Sequence, residues 1–465
     1  MMLTTWVKRA SQHMNRQVDS APLAVLRILF GVMMLLGTLR FMAYGWVDEL
    51  YVLPKYHFTY YGFEWVKPFG ETGMWLVFGT MVLTSAFIAL GFMFRASALL
   101  FFLLFTYVEL IDVTNYLNHY YFISLCSFLL LLSPAGKTLS IDGKLFPNHR
   151  IATVPFWSIG MFRLQLGILY VFAGIAKINY DWMMWAQPLS IWFVSFREVP
   201  LVGGLFQLKE TAYVFSWAGA LYDLTVPFFL LWAPTRIWAY LTVVGFHFIT
   251  WLMFPIGMFP WVMMVFTWVF FPIAFHRKLI DRIRKMFSGN KIRLVEKSLT
   301  SIHSSSKTSV SSFLNSLIPL VLVVFFAVQL FLPLRHFLYP GNLFWTEQGY
   351  RFSWRVMLME KNGFAQFKVS DPETGKQWEI HNTHYLTPQQ EKMMSTQPDL
   401  LLQFAHILDN EFQSIGVANP IVTVDVQVSL NGRRSRPFIN PNVDLSSLSD
   451  SWSPKTWILP YSREL

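Results

Sequence analysis

The chain has 465 residues, of which 54% are hydrophobic and only 14% charged, with a formal net charge of +10. An ordinary soluble protein is about 25% charged, so a surface facing only water is excluded and most of the chain must face lipid. The surplus of lysine and arginine then bears on membrane topology, and no nucleic-acid partner is expected.

The opening stretch "MMLTTWVKRASQHMNRQVDS" is polar and basic and carries no cleavable signal pattern, so the first hydrophobic helix is expected to be its own signal-anchor. About nine hydrophobic segments follow, at 22–45, 72–94, 96–114, 118–134, 157–178, 211–232, 236–254, 257–275 and 313–334. Between the fifth and sixth, "MMWAQPLSIWFVSF" (183–196) is too short to span, and its proline and two tryptophans predict an interfacial or re-entrant helix. A flexible Ser-rich cytoplasmic loop is expected at about 298–312. Residues 335–465 have a different character. "FAQFKV" and "IVTVDVQVSL" alternate as strands do, "DPETG" and "NG" are turn signals, and a helix is expected near 388–412. The fold class is therefore mostly α: a polytopic α-helical membrane protein with a multi-pass domain over 1–334 and a mixed, mainly β extracytoplasmic domain over 335–465.

Basic residues set the orientation. Lys8, Arg9 and Arg16 precede the first span, Lys137, Lys144 and Arg150 lie in the loop 135–156, and "HRKLIDRIRKMFSGNKIRLVEKS" is the densest run. With nine spans these three segments share one side, expected to be cytoplasmic with the N-terminus, which leaves the C-terminal domain outside. The one cysteine, Cys126, permits no intrachain disulfide, and the chain holds no Asn-x-Ser/Thr sequon. Both fit a bacterial inner membrane better than the endoplasmic reticulum.

Ionisable residues inside spans are costly and are functional candidates by default. Here they include Arg27, Arg40, Glu109, Asp112, His119, Arg163, Lys177, Asp223 and His247. Asp112, His119 and Lys177 are expected near the outer ends of their spans and His247 about two turns deep. Each has a plainer reading. Lys177 can snorkel to the interface, His119 can be a structural hydrogen-bonder, Arg27 and Arg40 can hold helices together, and Asp223 reads as partner to a buried base. His381 and His384 stand three apart without a third ligand, so no metal site is expected. A buried lysine is useful because desolvation favours its neutral amine, a base suited to a lipid-soluble acid such as a quinol.

At these residues the chain resembles the vitamin K-dependent γ-glutamyl carboxylases. "YVFAGIAKINYDW" resembles the family segment in which the second of two lysines deprotonates vitamin K hydroquinone, and that lysine falls on Lys177. "LNHYYF" resembles the Asn-His segment, placing the functional pair on Asn118 and His119, while "GFHFITW" carries the second functional histidine at His247 and "PIGMFPWVM" keeps an Ile-Gly-Met-Phe core. "VQLFLPLRHFLYPGNLFWTEQGYRFSW" resembles the glutamate-binding region, which maps to His336, Trp345, Tyr350, Ser353 and Trp354. "FINPNVDL" and "SWSPKTWILP" are also similar to family segments.

The resemblance implies a shorter, bacterial-type homologue: an enzyme that converts protein glutamate to γ-carboxyglutamate with O2 and CO2 while reduced vitamin K, phylloquinol or menaquinol, becomes the 2,3-epoxide. Lys177 would be the base for the quinol, His119, held by Asn118, a donor to developing negative charge, and His247 a support from the neighbouring helix. The implied partners are a glutamate-containing peptide on the outer face, the bilayer and the quinol. The chain departs from the pattern at Ala176, where the family has its first lysine, and at Gly349, Arg351 and Arg355 within the glutamate-binding segment; the animal enzyme's disulfide cannot form with one cysteine. The alternatives are a membrane quinol epoxidase or oxidase without carboxylation, and a non-enzymatic scaffold or transporter.

Overall fold

The structure is a computed structural model that describes residues 9, 11–288 and 312–461. The expected Ser-rich loop at 298–312 therefore lies, save its last residue, outside the described residues.

Among the described residues seven helices are long and apolar enough to cross a membrane. Six are α1 (Ala21–Ala43), α2 (Gly70–Leu90), α3 (Phe94–Ile111), α5 (Trp157–Lys177), α6 (Lys209–Leu231) and α7 (Arg236–Met253); the seventh, within α10 (Ser312–Phe331) and its 3-10 continuation, runs Leu317–Leu338. The other two of the nine expected segments are formed differently. α4 (Asn118–Leu132) has 15 residues, about 22 Å of helix, against about 30 Å of hydrocarbon. The segment expected at 257–275 breaks: α8 (Phe259–Phe266) runs through a 3-10 turn to Phe270, and α9 (Ile273–Ser288) leaves at 117°. Pro272 stands at the break, where it offers no backbone N–H and disfavours helix in the residue before it. The stretch 183–196 is a string of short helical turns, Tyr180–Trp185, Leu189–Trp192 and Phe193–Phe196, as its proline and length suggest.

α1 packs on α2, α2 on α3, α3 on α4, α5 on α6, and α6 on α7. Two close approaches fix the bundle. Gly91 ends α2 in the left-handed conformation, and a Cβ there would meet Arg27 Nη1 at 2.3 Å. Arg27 donates to the carbonyls of Ile88 (2.8 Å), Ala89 (3.0 Å) and Leu139 (2.6 Å), so this buried cation closes a helix end. On α5, a Cβ at Gly174 would meet the Leu224 backbone N at 2.8 Å. That contact brings α5 against α6 one turn before Lys177.

One end of the bundle gathers the basic segments. β1 (Gln17–Asp19) pairs with β2 (Thr153–Pro155), Ser20 N donates to Ala152 O, and Arg277 of α9 pairs with Asp19. The approach to α1, the loop before α5 and α9 therefore share a face.

The C-terminal region is a four-stranded antiparallel sheet in the order β4-β3-β5-β6, formed by β3 (Lys361–Ser370), β4 (Gln377–Glu379), β5 (Ile421–Leu430) and β6 (Arg436–Pro437). β3 and β5 pair over ten residues, from Lys361↔Leu430 to Ser370↔Ile421. Their alternation buries Ala365, Phe367 and Val369 against Val422, Val424, Val426 and Val428. α11 (Pro388–Met394) and α12 (Pro398–Ser414) take the place of the single helix expected near 388–412 and pack on the sheet. α11 begins with a capping box between Thr387 and Gln390. The "NG" turn, Asn431–Gly432, joins β5 to β6 with both residues at positive φ.

Candidate functional site

Lys177 is the last residue of α5, and its side chain stays buried. Nζ lies 2.6 Å from Oδ2 of Asp223 on α6, and both side chains are 7% exposed. Snorkelling is thus replaced by an ion pair, with Asp223 the expected partner. The ring of Trp182 covers the amine at 5.5 Å. Trp182 is fixed in turn by Nε1–H donation to Ser216 O at 2.8 Å, and its backbone N by Asn179 Oδ1 at 3.0 Å.

One turn and more below, Tyr170 of α5 stands edge-on to Tyr222 of α6, with their hydroxyls 3.5 Å apart. Tyr170 OH lies 3.2 Å from His247 Nε2 on α7. His247 is buried, and its Nδ1 has no protein partner among the described residues. Phe259 of α8 then contacts both imidazoles, with ring centroids 5.7 Å from His247 and 5.6 Å from His119. Lys177, His247 and His119 therefore lie along one path through α5, α6, α7, α8 and α4, with aromatic rings between them rather than in mutual contact.

His119 opens onto a cavity of about 580 Å³. Its walls are largely apolar, from Met33, Met81, Phe105 and Phe259 among others, and its polar groups include Arg40, Glu49, Glu109, Asn118 and His119. Glu109 has no hydrogen bond or ion pair among the described residues, so an unpaired carboxyl faces this space. Lys177 and His247 do not line it. The expectation that Asn118 holds His119 is corrected here: among the described residues no hydrogen bond joins them. Asn118 instead accepts from Tyr116 OH (3.1 Å) and donates to the Arg355 carbonyl (3.0 Å), tying α4 to the segment that follows the last span. Asp112 has a similar role, accepting from Thr114 N (2.9 Å) and from Gln390 Nε2 of α11 (2.9 Å).

The five residues expected to bind glutamate separate. Trp345 belongs to the core of the C-terminal region, where it donates to Leu459 O at 2.8 Å and stands on Phe438. Trp354 is fully buried against the membrane bundle, stacked on Tyr121 at 5.0 Å. Ser353 is buried and donates to Tyr350 O. Half-buried His336 holds Pro333 O at 2.9 Å and lies beside the Arg355 guanidinium at 3.3 Å, while Tyr350 packs by Phe344. Three of the five are thus packing residues in this conformation, because an aromatic residue at a domain junction fills space before it meets a ligand.

A small second cavity of about 130 Å³ lies beside this segment, lined by Arg335, Glu347, Arg351 and Asp399 among others. Arg351 is directed inward to Asp399 at 2.5 Å and also bonds Gln397. Burial works against both charges, but mutual attraction outweighs it: the Asp399 carboxyl is held below the ordinary range and Arg351 above its own. Glu347 and Lys361 form a second buried pair at 2.8 Å. The site also touches the C-terminal region through Asp181, which follows Lys177 by one turn and accepts from Arg433 (2.8 and 2.6 Å) and Asn431 (2.7 Å) of the β5–β6 turn.

Asp223 was legible as a partner, and Glu109 as a costly carboxyl. Tyr170 and Phe259 stood inside family-like segments without a role of their own, and Tyr222 carried no signal in a chain that is 18% aromatic.

A family model described as the HTTM domain matches residues 15–275, and one for the lumenal domain of vitamin K-dependent gamma-carboxylase matches residues 314–464. No solved structure matches the chain.

Proposed function

The chain belongs to the vitamin K-dependent gamma-carboxylase family, and from that membership and the geometry of the bundle we propose that it is a multi-pass membrane enzyme that carboxylates peptide glutamate to γ-carboxyglutamate, using O2, CO2 and reduced vitamin K and forming the 2,3-epoxide. The observation that carries the proposal is the cavity beside His119. It is apolar enough for a naphthoquinol ring, and its lining contains an unpaired carboxyl and an imidazole. The residues present therefore fit the cofactor. Arg40, Glu109, Asn118 and His119 would hold its oxygens, and Met33, Met81, Phe105 and Phe259 its ring and chain. When bound and oxidised by O2, the reduced quinone supplies the strong base that removes a γ-proton from glutamate, and CO2 adds at that carbon.

The side chains have separate tasks in this reading. His119 donates to negative charge that develops in the cavity. Asn118 sets the distance between α4 and the segment Tyr350–Arg355. Lys177 is the base: the proton of its ammonium passes to the Asp223 carboxylate 2.6 Å away, and the neutral amine then takes up the proton of the quinol. Tyr170 and His247 make a hydrogen-bonded strut between α5 and α7 that fixes Phe259 against His119. Lys177 does not line the cavity, so this reading requires a rearrangement on binding. The domains follow as a membrane catalytic unit over 1–334 and an outer domain over 335–465, with the N-terminus cytoplasmic.

A second reading retains quinol oxidation and drops carboxylation. Burial of Trp345, Ser353 and Trp354 favours it, since these residues present no open glutamate site. One experiment separates the two. Protein in nanodiscs is given reduced vitamin K, a glutamate peptide and labelled bicarbonate, alongside Gly37→Phe. Gly37 lines the cavity, and a Cβ there meets nothing within 4 Å, so the ring fills the space without disturbing α1. The proposal expects label and epoxide from the wild type and neither from Gly37→Phe. Epoxide without label supports the second reading, and products undiminished in Gly37→Phe refute the cavity as the site.

A further inference from the structure

The basic end of the bundle carries one element that the carboxylase reading does not use. α9 departs at 117° from the helix pair at residues 259–270. With that pair standing in the bilayer, α9 runs close to the membrane plane. At 100° per residue, Phe275, Leu279, Ile283 and Met286 fall on one arc, and Lys278, Asp281, Arg284 and Lys285 on the other, with Arg282 at their border. The first turn is fixed to protein: His276 is buried, and Arg277 pairs with Asp19. Leu279 and Ile280 are half-buried, and the helix is open from Asp281 to Met286. Ile283 is 46% exposed and Met286 81%, and Arg282, Arg284 and Lys285 are exposed beside them. An apolar arc left to water next to a cationic arc has one complementary environment at this position, the boundary where acyl chains meet phosphate.

We infer that α9 is a binding surface for anionic phospholipid, with Ile283 and Met286 in the acyl region and Lys278, Arg282, Arg284 and Lys285 on the headgroup phosphates. Charge complementarity selects the occupant. The helix sets five cations, Arg277, Lys278, Arg282, Arg284 and Lys285, against Asp281 alone, and Asp19 takes only the first of them. The neighbouring loop before β2 adds Lys137, Lys144 and Arg150 to the same face. Clusters of this size next to a span attract acidic lipid, and the attraction is screened within a Debye length.

The test uses the full chain in phosphatidylcholine nanodiscs carrying spin-labelled phosphatidylglycerol or spin-labelled phosphatidylcholine, and reads the immobilised fraction of each by electron spin resonance. The inference expects phosphatidylglycerol to be preferred, the preference to fall as salt rises, and Arg282→Glu/Arg284→Glu/Lys285→Glu to reduce it several-fold. Arg282→Gln/Arg284→Gln/Lys285→Gln, a milder change, should reduce it less, and Lys368→Glu/Lys376→Glu on the outer domain should leave it unchanged. A preference that survives both α9 variants, or that salt does not touch, overturns the inference.

Discussion

Replacing Asp223 with leucine leaves the Lys177 ammonium in a bundle where its side chain is 7% exposed and its neighbours are Trp182 and the Ala173 carbonyl at 3.4 Å. Removing one partner of a buried ion pair costs about 3–5 kcal/mol, whereas replacing both by apolar groups of similar volume is about neutral. Lys177→Met and Asp223→Leu should therefore each destabilise by about 3–5 kcal/mol, and the double variant by far less than their sum. The assay is reversible unfolding by SDS in mixed micelles, with the four proteins compared as a double-mutant cycle. The geometry requires a coupling of about 3 kcal/mol or more, because at 2.6 Å little of the interaction is left to solvent. Effects that add within about 0.5 kcal/mol would refute the reasoning and return Lys177 to a snorkelling residue.

Other consequences are open to direct measurement. Trp354→Ala should cost about 3–5 kcal/mol in stability, as expected for a large buried side chain; a variant of undiminished stability whose only defect is a raised KM for peptide would restore its expected substrate role. Glu109→Leu should weaken reduced vitamin K binding about 3–10-fold, the value of a hydrogen bond between neutral groups, and anaerobic fluorescence titration reads this. Asp399 has a lowered folded pKa, so its pairing with Arg351 stabilises fully above the unfolded value of about 3.9 and is lost as pH falls through the lower folded value. Tryptophan fluorescence of the outer domain should accordingly report loosening below about pH 4, with Asp399→Asn weaker at neutral pH and less sensitive to acid. Arg433→Ala, which removes two of the hydrogen bonds to Asp181, should raise hydrogen exchange across residues 179–185 while the protein stays folded.

Much of the architecture was legible because lipid imposes long apolar runs. α1, α2, α3, α5, α6 and α7 begin and end within a few residues of the expected spans. The exceptions are instructive. Length alone did not reveal that α4 is a short helix entered through the Asp112–Thr114 turn, and hydropathy could not register the break at Pro272, since apolar residues continue on both sides. The polar site divided in the same way. Lys177 and Asp223 stood out by type, because charge in a span is rare, and Gly174 explains why they meet. The partners of Asn118 were not legible: one is the carbonyl of Arg355, 237 positions away, and no local pattern encodes it. The cavity was equally hidden, since its wall is assembled from segments between Met33 and Gln389. Trp345 and Trp354 show the converse, residues of functional type that are buried in packing in this structure.

The most direct test of the account follows both products at once in wild type and Lys177→Ala. Protein in nanodiscs receives reduced vitamin K, a glutamate peptide and labelled bicarbonate, with folding checked by the same unfolding assay. The account requires peptide-bound label and quinone epoxide from the wild type, and loss of both in Lys177→Ala. Neither product from folded wild-type protein, or both products undiminished in Lys177→Ala, would contradict it.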